Sequence, residues 1–192
     1  MKSTPADSTE RTRFVLNLAL DHFEQSQRLE NSGDLEDARY ELAMAQEYFD
    51  EWYPSSLVYL KTARGLMAEG RTKEPAFILH QSCERLYHTV LLVCTFYTPH
   101  VHNLGFLRTQ AERIDYRLTY VWPRDNRKDR AQFEKLKEAY VKARYSKHYR
   151  ISKEELEWLG QQVEELGRVV HEVCSERLEK LAGEARARPD KQ

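Results

Sequence analysis

No stretch of the sequence is apolar for long enough to cross a bilayer. The longest run, around Thr89–Thr95, falls far short of the roughly 20 residues that a hydrocarbon core requires. The first residues, MKSTPADSTERTR, lack the apolar segment of a secretory signal, so the expectation is a cytoplasmic protein with no membrane partner. Glycine and proline are scarce, at 7 and 6 in 192 residues, which argues against the dense turn chemistry of a β-sandwich. Cysteine is scarce too: Cys83, Cys94 and Cys174 are odd in number, lack metal-type spacing and fall inside apolar helical patterns. They read as reduced core thiols, not as a disulfide or metal site. Also missing are a Walker-type glycine loop, the Gly-Ser with downstream Asp-x-Asp of a nucleotidyltransferase, His-Glu-x-x-His and Gly-x-Ser-x-Gly. No cofactor or metal is expected.

What the chain does have is charge, unevenly placed. Charged residues make up 32% of the sequence and nearly cancel to −1, yet residues 1–53 hold 5 Lys/Arg against 12 Asp/Glu, while 124–153 hold 11 Lys/Arg against 4 Asp/Glu. That local excess of +7 suits attraction of a polyanion, with a solvated helix face as the alternative.

The apolar spacing is helical throughout. The first ten residues look frayed; Leu16, Leu20 and Phe23 mark a first short helix that stops at Asn31-Ser32-Gly33. A second helix starts after Asp34 and runs towards Leu66, with a kink or break expected near Tyr53 because Pro54 follows. A third, from about Pro75 to Tyr97, is apolar on nearly all sides and is the candidate central helix. After a polar loop containing His100 and His102, with Asn103 as cap, an amphipathic segment carries Leu104, Leu107, Ala111 and Ile114. A basic helix follows Asn126 with Phe133, Leu136, Tyr140 and Ala143 on one stripe, Tyr140 reading as core. Ser152-Lys153-Glu154-Glu155 is a capping box that opens a last helix with apolar residues spaced 3 and 4 apart, which suits a bundle core or a dimer seam. The expected organisation is a helical extension over 1–45, a bundle over 46–182 and a disordered tail over 183–192.

Three blocks carry a further signal: Gln46–Ser56, which reads QEYFDEWYPSS; Ala76–His88, which reads AFILHQSCERLYH, followed by His102-Asn103-Leu104; and Lys137–Tyr149, which reads KEAYVKARYSKHY. Together, in this order and over roughly 135 residues, they resemble the HEPN domain of the sacsin C-terminus and of the small proteins encoded beside minimal nucleotidyltransferases. The resemblance implies an all-α, up-and-down bundle of about five helices that homodimerises, with its functional residues in a groove near the dimer axis. It also implies two functional groups. One contains metal-independent ribonucleases, among them the toxins of toxin–antitoxin pairs, which carry an Arg and, after four to six residues, a His. The other contains nucleotide- or substrate-binding modules. Any partner nucleotidyltransferase would be a separate chain, since its motif is absent here.

The nearest ribonuclease candidate is Arg144 with His148, only three residues between them, which departs from that motif. On a helix the two would share a face, His148 moving a proton and Arg144 clamping a phosphate. A binding module would use Lys142, Tyr145, Lys147 and Tyr149 facing His80, Glu84, Arg85 and His88 of the central helix, with a nucleotide or RNA as ligand. Trp122 and the tyrosines interleave with Lys and Arg as bases stacking on rings would require. The structural alternatives are a Glu84–Arg144 ion pair fixing helix register, and satisfied core polar groups for His80, Glu84 and His88. His100-x-His102 lacks a third metal ligand. The reading that follows is a stand-alone, non-catalytic module that binds a nucleotide or phosphorylated ligand as a dimer. The alternatives are a ribonuclease and a protein-interaction bundle docking a basic partner on its acidic first helices.

Overall fold

The computed structural model describes residues 35–187. The frayed start, the first short helix and the acidic segment before residue 35 lie outside the described residues, as does the stretch 188–192. Five α-helices account for the described chain: α1 (Leu35–Ala68), α2 (Lys73–Thr95), α3 (Leu104–Ile114), α4 (Arg127–Tyr145) and α5 (Lys153–Ala187), with one turn of 3-10 helix at Tyr116–Thr119 between α3 and α4. The described residues hold no strand, and the all-α bundle expected from the spacing is what forms.

Local chemistry sets most of the boundaries. Asn103 Oδ1 accepts from Phe106 N at 3.1 Å to open α3, and Asn126 Oδ1 accepts from Asp129 N at 2.8 Å to open α4. The capping box closes in both directions: Ser152 Oγ accepts from Glu155 N at 3.2 Å while Glu155 Oε2 accepts from Ser152 N at 2.9 Å. At the end of α2, Phe96 takes the left-handed conformation at φ 57°, and its N–H returns to the Leu92 carbonyl.

Of the kink or break expected near Tyr53, the break does not occur: α1 runs unbroken through Pro54. The proline removes one helical N–H, but Phe49 and Tyr53, on the turn before it, stack at 5.0 Å and both meet His171 of α5 edge-on. Packing on the neighbouring helix holds the two turns together where propensity alone would separate them. The same helix passes through 45/46 without interruption, and α5 continues helical to Ala187, so the first residues expected in the disordered tail are helical.

The core is built around α2, which packs against α1, α3, α4 and α5. Leu79, Cys83, Leu86, Tyr87, Val90 and Val93 are buried on its several sides, as an apolar perimeter requires. Of the expected α4 stripe Phe133 and Leu136 are buried, with Ala139 beside them, while Tyr140 and Ala143 are only half-buried; the 3-4 stripe of α5 (Leu156, Leu159, Val163, Leu166, Val170, Val173) is buried throughout. Trp122 is buried against Phe133 and Trp158, so it is a core residue and not a stacking platform for bases. Cys83, Cys94 and Cys174 are free thiols, Cys94 only partly buried. No helix among the described residues is long and apolar enough to cross a membrane.

Candidate functional site

The helical period of α2 places His80, Glu84 and His88 one turn apart on one side of the central helix. The loop that follows α2 turns back over this side. His102, on that loop, donates from Nδ1 to Glu84 Oε1 at 3.0 Å, while His80 Nδ1 and His88 Nε2 stand 3.6 and 4.0 Å from the same carboxylate. Across from α2, the half-buried Tyr140 of α4 presents its ring: His102 stacks on it at 4.7 Å and 18°, and His80 lies 5.1 Å away.

Arg144 completes this wall. Its Nε donates to the Tyr140 carbonyl at 2.6 Å, and its guanidinium carbon lies 4.4, 4.7 and 5.1 Å from the ring centres of Tyr140, Phe77 and Tyr145. Three rings and a carbonyl fix a cation that is itself exposed and has no carboxylate partner among the described residues. The expected Glu84–Arg144 ion pair does not form. The carboxylate is taken by His102 and the guanidinium by aromatic faces, because the loop residue reaches Glu84 from the near side.

Burial sets the protonation of the floor. It pulls both His80 and His88 down to about 4, helped by the neighbouring His102, and it pushes Glu84 up, against the pull of the His102 hydrogen bond. Both imidazoles of α2 are therefore neutral near pH 7. Among the described residues Glu84 Oε2 and His80 Nε2 are buried without a hydrogen-bond partner, whereas Glu84 Oε1 and His80 Nδ1 have one. His88 is satisfied, its Nδ1 bonded to the Thr98 hydroxyl. No group of His, Cys, Asp and Glu among the described residues is arranged to hold a metal.

The structure divides the candidate residues into three groups. His80 and Glu84 on one side and Arg144 on the other meet around Tyr140, with Tyr145 against Arg144 alone. Arg85 and His88 lean the other way: Arg85 donates to Ser55 Oγ at 2.8 Å and covers Trp52, whose ring meets His88 edge-on. The third group belongs to the end of α4. That helix stops at Tyr145 and Ser146 is extended, so Arg144 and His148 do not share a helical face, nor do Tyr145 and Tyr149. Tyr149 is buried and donates its hydroxyl to the Lys135 carbonyl at 3.1 Å, which corrects its reading as an exposed ligand contact. Lys147 and His148 are exposed, and Lys142 is held by Glu138 at 2.6 Å. Lys73, at the start of α2, donates to the Ser146 carbonyl at 2.9 Å and brings a further cation to the same corner.

His102, Phe77 and Lys73 were not singled out as ligand contacts by the sequence. Tyr140 stood among the tyrosines interleaved with Lys and Arg but read as core, and His102 stood out only as half of His100-x-His102, a pair without a third metal ligand. A model of the HEPN domain matches residues 49–174 of the chain. No curated protein matches it.

Proposed function

The chain belongs to the HEPN domain family, whose members serve nucleotide- and RNA-related roles, and from that premise we propose that it binds a nucleotide or another phosphorylated ligand without turning it over. The observation that supports this most is Arg144: an exposed guanidinium without a carboxylate, locked over Tyr140, Phe77 and Tyr145 at the lip of the His80–Glu84 floor. A cation used only to complement the end of α4 needs no such three-ring seat. Lys147 and Lys73 extend the positive rim, and Tyr140 offers a stacking surface beside it. Action as a homodimer, with a separate nucleotidyltransferase chain as partner, is part of the proposal on the strength of the family likeness.

The ribonuclease alternative has less behind it. His148 lies beyond the helix that carries Arg144, and the spacing of the pair departs from the motif of the cleaving members. The reading as a protein-interaction bundle rests on the acidic first helices, of which only residues from 35 onward are described. Titration of a labelled nucleotide at low ionic strength tests the proposal: saturable binding that weakens in Arg144→Ala and Lys147→Ala supports it, and absent binding, or binding indifferent to both changes, refutes it.

A further inference from the structure

The site contains more than a phosphate-binding rim needs: a buried floor with unused hydrogen-bonding groups, and an imidazole lying on the platform above it. Glu84 presents two carboxylate oxygens. Oε1 accepts from His102 at 3.0 Å and Oε2 is buried without a partner. His80 is fully buried, with Nδ1 facing the Gln81 side-chain nitrogen at 3.2 Å. Nδ1 also stands 3.6 Å from Glu84 Oε2; in the tautomer in which it accepts from the Gln81 amide, Nε2 carries the proton. Nε2 is the second buried atom without a hydrogen-bond partner among the described residues, and the His102 main chain also bonds to the His80 ring. The floor thus offers two acceptors side by side and one donor.

His102 sits in this place as a small aromatic heterocycle. It stacks on Tyr140 at 18° while pointing an N–H at Glu84, and its side chain is 60% exposed. It precedes the cap of α3, so rotation of its side chain alone frees both the ring surface and Oε1 while Asn103 keeps its bond to Phe106 N. A flat ring stacked on a tyrosine, with an N–H on a carboxylate and a guanidinium against the same tyrosine, is the contact set of a nucleobase bearing a phosphate.

The pairing edges of the bases differ in what they present. Adenine offers one amino donor beside an acceptor. Cytosine offers one amino donor beside two acceptors, and uracil one donor between two acceptors. Guanine alone places two adjacent donors, N1–H and the N2 amino group, next to an acceptor, O6. Two donors satisfy both oxygens of Glu84, and O6 matches His80 Nε2–H.

We infer that His102 holds the place of a guanine base, and that a guanosine phosphate displaces it, stacking on Tyr140 with N1–H and N2–H on Glu84 and its phosphate towards Arg144 and Lys147. This rests on the nucleotide-binding reading above and names the base. A free nucleotide and an unpaired guanosine in RNA present the same edge, so both fit.

The test is calorimetric titration of the full chain with GMP, IMP, AMP, CMP, UMP and base-less ribose 5-phosphate. GMP is expected to bind tighter than AMP, CMP and UMP by roughly ten- to a hundredfold, with IMP, which lacks the N2 amino group, in between. Glu84→Gln is expected to erase the preference, and His102→Ala, which removes the resident ring, to tighten GMP. Because Glu84 is buried and its variant could fail to fold, the IMP comparison on the unaltered protein carries the decision independently. Equal binding of the four bases, still lost in Arg144→Ala, overturns the guanine assignment and leaves the phosphate-binding reading intact. Binding of neither nucleotides nor ribose 5-phosphate overturns both. A short oligouridine with and without one central guanosine then separates the sources: guanosine-dependent binding far tighter than GMP assigns the site to RNA, and no gain over GMP assigns it to the free nucleotide.

Discussion

Arg144 and Tyr140 are joined twice, by the hydrogen bond from the guanidinium Nε to the Tyr140 carbonyl at 2.6 Å and by the guanidinium lying 4.4 Å from the centre of the same tyrosine's ring. The two contacts come from one turn of α4, so they hold whether or not a ligand is present. An ammonium cannot reproduce this planar, stacked arrangement. Arg144→Ala is expected to weaken nucleotide binding by about tenfold or more, and Arg144→Lys to recover only a small part of that loss. Because Arg144 is exposed, its removal should shift the denaturation midpoint by no more than about 1 kcal/mol of stability. A large loss of stability with unchanged affinity would assign it a structural role instead.

Lys142 and Lys147 should behave differently although both belong to the basic segment. Lys142 is paired with Glu138, whereas Lys147 is exposed with no side-chain partner among the described residues. Lys147→Ala is expected to lower affinity for a phosphorylated ligand and flatten its salt dependence, and Lys142→Ala to change both less. Affinities measured across a salt series check this.

Acid should destabilise the fold above the range in which carboxylates titrate. His80 and His88 are held at about 4 in the folded protein against about 6.5 for a free imidazole. The unfolded chain therefore binds more protons below pH 6.5, and stability is lost as pH falls from there towards 4. Glu84 acts in the opposite sense: its raised value favours the folded state at low pH and costs stability as pH rises through it. The net expectation is a fall of a few kcal/mol between about pH 7 and pH 4.5, reduced in His88→Gln. Denaturant midpoints at the two pH values measure it, and a flat profile would contradict the neutral state of the buried imidazoles.

A buried ion pair away from the site should be costly to break from one side. Arg108 donates to Glu112 Oε1 at 2.6 Å and to the Trp122 carbonyl at 2.8 Å, with side chains only 8% and 10% exposed. Glu112→Ala strands the guanidinium and is expected to cost about 3 kcal/mol, while the double change Arg108→Met with Glu112→Leu should cost much less. Thermal unfolding of the two variants compares them directly.

Tyr149→Phe provides a control on the ligand side. Its hydroxyl ends on the Lys135 carbonyl inside the protein. The variant is expected to lose about 1 kcal/mol of stability and no nucleotide affinity. A loss of affinity without a loss of stability would place the hydroxyl in the binding site after all.

Much of the fold could be read before any coordinates were considered. Asn103, Asn126 and the Ser152/Glu155 box open helices α3, α4 and α5 as their side chains dictate, since a cap bonds within three residues of itself. The all-round apolar character of Pro75–Tyr97 identified the central helix, because only a helix surrounded by others can bury every side. At Pro54 the intrinsic cost that suggested a break was visible in the sequence, and the Phe49–Tyr53–His171 packing beside it was not. The end of α4 misled: helical spacing carried past Tyr145 put His148 and Tyr149 on the wrong faces.

Sequence by itself determined the elements of this protein, their caps, the stripes they bury and the corner where positive charge gathers, because each depends on residues within a turn or two of one another. Only the tertiary structure decided what the site is made of. His102 meets Glu84 and Tyr140, Arg144 meets Phe77, and Lys73 meets Ser146 through contacts between segments far apart in the chain. No local period encodes such meetings; they follow from how α2, its returning loop and α4 pack, and that packing is set by the whole core at once.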